Sequence, residues 1–150
     1  MNLFLKRLFW IAVIGVGSNY LWEMLQMPFF RMDGWGSPGS WLLCFEATLG
    51  DTFLILVIYG IGVLIFRDGK WLLKINVMKV LYLLIIGSLI AVYFEVTALL
   101  SSRWQYSELM PVMPVLGVGV IPYIQMLILP YISIRVGLRL TSSGGECFAE

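Results

Sequence analysis

Four long apolar runs organise the chain, separated by short stretches where charge, Gly, Pro and Ser gather. They cover about 3–27, 41–66, 75–100 and 113–138. A helix rising ~1.5 Å per residue crosses the ~30 Å hydrocarbon core of a bilayer in about 20 residues, so each run is long enough to span. The pattern predicts an all-α polytopic membrane protein: a four-transmembrane-helix bundle forming one domain over 1–140. A short polar tail, 141–150, is expected to be disordered. The first run starts behind Lys6-Arg7 and resembles a signal-peptide core for its first turns. It shows no clear small-x-small cleavage site ahead of the polar motif, and its helical pattern continues through Trp22-Glu23, so an uncleaved span is expected. The fourth run is expected to contain Pro114, Pro122 and Pro130, three interruptions at eight-residue steps.

Charge adds a direction. Lys6, Arg7, Arg67, Lys70, Lys74, Lys79, Arg135 and Arg139 fall on one side of this topology, and only Arg31 and Arg103 on the other. By the positive-inside bias both termini are expected in the cytoplasm. A net charge of +1 offers no basic face for phosphates along a nucleic acid. The chain has no histidine, hence neither the commonest base near neutral pH nor the usual haem ligand. Cys44 and Cys147 fall on opposite sides, which argues against an internal disulfide, and no zinc-type spacing exists. Trp35 and Trp41 suit a membrane–water interface.

The polar residues inside the apolar runs carry the candidate chemistry. Asn19, Trp22, Glu23 and Gln26 stand at i, i+3, i+4 and i+7, one face of a helix. Asp51 follows Gly50 in the second run, where a missing side chain would let a helix or ligand approach. Glu95 interrupts a stripe of small residues, Gly87, Ser88, Ala91 and Ala98, of the kind that lets helices pack closely. Gln125 falls near mid-membrane in the fourth run. An acid within a span costs about 3 kcal/mol on insertion scales and is a functional-site hypothesis by default. The topology delivers Glu23, Asp51 and Glu95 to the outer half of the bundle. Asp51 would lie roughly 15 Å, and Glu95 roughly 8 Å, inside the ends of their helices. Three adjacent carboxylates cannot all ionise in a low dielectric. Either some hold a proton, the arrangement for acid–base work, or a hard divalent cation joins them, or Arg31 or Arg103 folds inward. No metal site and no resident cofactor is assigned. Trp104 and Tyr106, two apart in the last outer loop, are placed to cover the opening like a lid. Glu46 reads as a helix-start residue favoured by the dipole. Against all this stands the plainer alternative, that Glu23 and Gln26 only hydrogen-bond helices together.

At these residues the sequence resembles a family of small bacterial four-span inner-membrane proteins. The shared pattern is Trp22-Glu23-x-x-Gln26-x-Pro28, Gly50-Asp51, Glu95, Trp104-x-Tyr106-x-x-x-Met110-Pro111 and Pro122-x-x-Gln125, covering nearly the whole chain. The resemblance implies the fold and a bacterial inner membrane. It implies no activity. Members of that family often carry His where this chain has Asn19, so a histidine-dependent mechanism is not expected here.

Three functions compete. One is an intramembrane enzyme of isomerase or cyclase type acting on a membrane lipid or isoprenoid. Glu23, Asp51 and Glu95 would be its catalytic acids and bases. Asn19, Trp22, Gln26, Trp104, Tyr106 and Gln125 would bind its ligand, with the aromatic faces steadying a carbocation. Another is a proton or cation transporter whose fourth span flexes at its prolines. The last is a non-catalytic subunit, as a homo-oligomer or within a larger membrane complex. An enzyme should show an apolar pocket floored by the carboxyls and open to lipid, a transporter a polar path onward to the cytoplasm, and a subunit a flat apolar face.

Overall fold

A computed structural model describes residues 2–32, 34 and 36–143. Its four helices are α1 (Leu3–Gln26), α2 (Pro38–Phe66), α3 (Val77–Leu100) and α4 (Val120–Ser143), with a single 3-10 turn, Met27–Phe29, after α1. All four are long and apolar enough to cross a membrane. The chain is a multi-pass all-α bundle. Local chemistry sets the helix starts. The Asn2 side chain accepts from Phe4 N at 3.2 Å, and the Asn76 side chain from Lys79 N at 3.0 Å. Pro38 opens α2, where its missing N–H costs nothing.

The fourth helix corrects the sequence reading. It begins at Val120, not near residue 113. Residues 111–119 fold into a tight loop instead. Val120 N donates to Pro111 O (2.8 Å), Met113 N to Val118 O (2.9 Å), and Gly117 takes a positive φ of 67°. Pro114 is therefore outside the helix, Pro122 sits in its first turn, and Pro130 alone is interior. At the other end α4 runs to Ser143, into the stretch expected to be a disordered tail. Residues 144–150, with Cys147, and Trp35 lie outside the described residues. α2 starts three residues earlier than expected and α3 two later.

α1 packs along α4 and α2, and α4 along α3. Gly137 and Gly87 allow the closest approaches. A Cβ on Gly137 would meet Ile11 backbone N at 2.8 Å, and one on Gly87 would meet Met126 O at 2.7 Å. α2 and α3, by contrast, scarcely touch. At the end of the bundle that gathers the eight basic residues, called here the basic end, the loop between them dips back to fill the gap. Trp71 and Leu72 are fully buried, and the Trp71 ring meets Phe66 at 5.2 Å and Tyr82 at 5.6 Å. Tyr82 Oη donates to Ile58 O (2.8 Å) and Tyr59 Oη to Gly69 O (2.9 Å), fixing the wedge. With Ile11, Ile55, Ile58, Ile134 and Leu138 this makes the apolar core. At the opposite end nothing plays the part of Trp71, and the gap stays open.

Candidate functional site

The open gap is a cavity of about 460 Å³, within the range of small-molecule sites. α2 and α3 form its sides, α1 and α4 its floor, and the loops at this end its roof. Leu43 and Phe53 of α2 and Phe94 of α3 line it, and they are 55%, 65% and 47% exposed on the outer surface of the bundle. The cavity therefore opens between these two helices, with the exposed Arg31, Glu46 and Arg103 at its end rim.

Gln125 of α4 organises the floor. It is buried, and its Nε2 lies 2.8 Å from Asp51 Oδ2, 2.9 Å from Glu23 Oε1 and 3.1 Å from Asn19 Oδ1. Asn19 is held by donating to Gly15 O at 2.8 Å. Gln26 donates to Glu23 Oε1 at 2.8 Å and accepts from Trp22 Nε1 at 3.1 Å. One face of α1 thus enters a single network, as its spacing predicts. The Glu23 and Asp51 carboxyls are close enough to share a hydrogen bond. An amide nitrogen carries two hydrogens; with Gln26 serving Glu23 Oε1, those of Gln125 suffice for Asn19 and Asp51. Gln125 lies five residues into α4, because the helix starts late, and level with Asp51 midway along α2.

Glu95 stands apart from that pair, on the α3 wall. The Tyr106 hydroxyl donates to Glu95 Oε2 and accepts from Gly119 N at 2.8 Å. Burial and the Glu95 carboxyl together push the Tyr106 hydroxyl pKa up from its ordinary value. Among the described residues, no three acidic or thiol side chains converge as ligands for one ion.

Six of the nine predicted residues line the cavity: Glu23, Gln26, Asp51, Glu95, Trp104 and Gln125. Asn19, Trp22 and Tyr106 do not. They stand behind the lining and hold it. Tyr106 is accordingly a strut rather than a lid, and its ring packs on Phe30 at 5.7 Å. Trp104 does roof the cavity, but the Arg103 guanidinium sits 5.6 Å over its ring, which occupies a face offered for a carbocation. The buried Trp104 Nε1 faces Glu95 without hydrogen-bond geometry. Gly50 lines the cavity with nothing within 4 Å of an added Cβ, so no helix approaches there. Glu46 is in the third turn of α2, not at its start, and pairs with Arg103 at 2.8 Å on the cavity rim. Arg103 therefore reaches a rim acid, not the floor. Sequence reasoning missed Phe30, Cys44 and Met126 as lining residues; an apolar residue in an apolar run carries no signal of which gap it faces. Ser88 does join α3 to α4, at 2.8 Å from Tyr123 Oη.

Compared with models of known protein families, with curated proteins and with solved structures, the chain matches none.

Proposed function

We propose that the protein is an intramembrane acid–base enzyme that draws a lipid or isoprenoid chain sideways from the bilayer and moves a double bond, or closes a ring, within it. One observation carries the reading: a cavity open between α2 and α3, with apolar walls, ends on two adjacent carboxyls, Glu23 and Asp51. A proton held between these two groups lets both carboxyls lie side by side in a low dielectric. In an isomerisation, the carboxyl holding the proton adds it to one alkene carbon. The neighbouring carboxylate removes a proton from the adjacent allylic position, the double bond moves, and the proton count is unchanged. Glu95, oriented by Tyr106, lines the wall toward the mouth. The basic-end half of the bundle is filled by the apolar core around Trp71, which supports an enzyme over a transporter.

The same proposal places the protein in a bacterial inner membrane with both termini cytoplasmic and the cavity in the outer half. Reporter fusions at Gly36 and Gly69 falling on the same side would overturn that orientation.

Chemistry is tested in deuterium oxide. Wild-type protein in vesicles with a mixed isoprenoid extract should place solvent deuterium on lipid carbon. The triple variant Glu23→Gln, Asp51→Asn, Glu95→Gln should do so at least about tenfold more slowly, a loss of ~1.4 kcal/mol in transition-state stabilisation. Equal incorporation by both would leave these acids a structural role only.

A further inference from the structure

The basic residues at the cavity end point to the head of the ligand. Of the ten Lys and Arg side chains, eight belong to the basic end, and the other two, Arg31 and Arg103, both line the rim of this one cavity. Their backbones are fixed. Arg31 N donates to Gln105 O at 2.9 Å, beside the isolated antiparallel bridge between Phe30 and Tyr106. Arg103 N donates to Ala98 O at 2.9 Å, closing the end of α3. Among the described residues no acid pairs with Arg31, whereas Arg103 is half-engaged, giving one N–H to Glu46. The two guanidiniums are surplus donors at a mouth whose floor is acidic. Guanidinium forks match the paired oxygens of a phosphate or carboxylate.

Resting on the reading of the cavity as a lipid site, we propose that its ligand is an anionic amphiphile. The phosphate-like head would lie between Arg31 and Arg103 at the rim, and the apolar chain would run inward past Ala91 and Met126 toward Asp51. A chain entering between α2 and α3 must leave its charged end at the interface, where both arginines stand. The head is thereby kept away from Glu23 and Asp51, which would repel it, and the chain is delivered to them.

Cys44 provides the readout, because it lines the cavity and is otherwise buried, so a reagent reaches its thiol through the cavity. In phosphatidylcholine vesicles, with Cys147→Ser so that Cys44 alone reports, alkylation by N-ethylmaleimide is followed under increasing farnesyl phosphate, farnesol or inorganic phosphate. Farnesyl phosphate should protect at a concentration at least about tenfold below farnesol, ~1.4 kcal/mol of preference. Adding Arg31→Gln and Arg103→Gln should erase that preference, farnesyl phosphate then protecting no better than farnesol, and an unchanged far-UV circular dichroism spectrum reports that the double variant is folded. Equal protection by phosphate and alcohol in wild type would overturn the anionic head and leave the lipid cavity standing. Persistence of the preference in the double variant would overturn the assignment to these arginines. Protection by inorganic phosphate alone at the same concentration would make the site one for a free anion. Protection by none of the three would overturn this proposal and the lipid cavity together.

Discussion

The Tyr106 hydroxyl ties the loop before α4 to the wall of the cavity: it donates to the Glu95 carboxyl of α3 and accepts from Gly119 N at 2.8 Å. Tyr106→Phe removes both bonds and leaves a loop N–H and a wall carboxyl without their partner. A cost of about 1–3 kcal/mol follows for the buried groups left unpaired, read as a lowered Tm in detergent. The same bridge predicts a pH response. Because the folded-state pKa of Tyr106 is raised, its contribution to stability is complete below the unfolded tyrosine pKa, declines as pH rises above that, and is gone once pH has passed through the higher folded value. Spectrophotometric titration should therefore find the same number of tyrosines ionising in the ordinary range in wild type and in Tyr106→Phe. Loss of one ionising tyrosine from that range in the variant would contradict the bridge.

Gln125 should be the most sensitive neutral residue of the floor. Gln125→Leu takes the shared donor from Asn19, Glu23 and Asp51 at once. Leaving buried acceptors unpaired costs roughly 1–3 kcal/mol each, so the thermal transition should fall clearly. An unchanged transition would mean that water or a rearranged side chain serves these groups as well as Gln125 does.

Two glycines, Gly50 on the cavity wall and Gly87 at the α3–α4 contact, should respond with opposite signs. Gly87→Ala drives a methyl toward Met126 O, 2.7 Å away, and must push α3 from α4; overpacking of this kind typically costs about 1–3 kcal/mol. Gly50→Ala meets nothing within 4 Å and gains helix propensity, a stabilisation of about 0.5–1 kcal/mol. Paired melting curves decide it, and a loss at Gly50 or a gain at Gly87 would contradict the packing described.

The fold was legible in the sequence because a bilayer demands long apolar helices, and four such runs leave little choice. The α1 face of Asn19, Trp22, Glu23 and Gln26 was legible for a similar reason, since helical spacing alone puts these residues together. The start of α4 was not. Val112, Met113, Val115, Leu116 and Val118 are as apolar as a span, and hydropathy cannot tell a folded-back loop from a helix. Pro111, Pro114, Gly117 and Gly119 were the competing signal, one of turn chemistry. The cavity itself was beyond reach. It exists because Trp71 fills the space between α2 and α3 at one end and nothing does at the other, which depends on how two helices diverge. For the same reason Tyr106 reads from its loop position as a lid, and only its partners, Glu95 and Gly119, make it a strut.

The lateral cavity is tested most directly by filling it. Gly50 lines it with free space at its Cβ, so Gly50→Leu should fold as wild type does while occupying the ligand's place. Wild type and variant, purified in parallel into nanodiscs, are compared by mass spectrometry of the small molecules each retains. An amphiphile held by wild type and missing from a normally folded Gly50→Leu protein is the predicted result. An identical set of retained molecules in the two would contradict a ligand-holding cavity between α2 and α3.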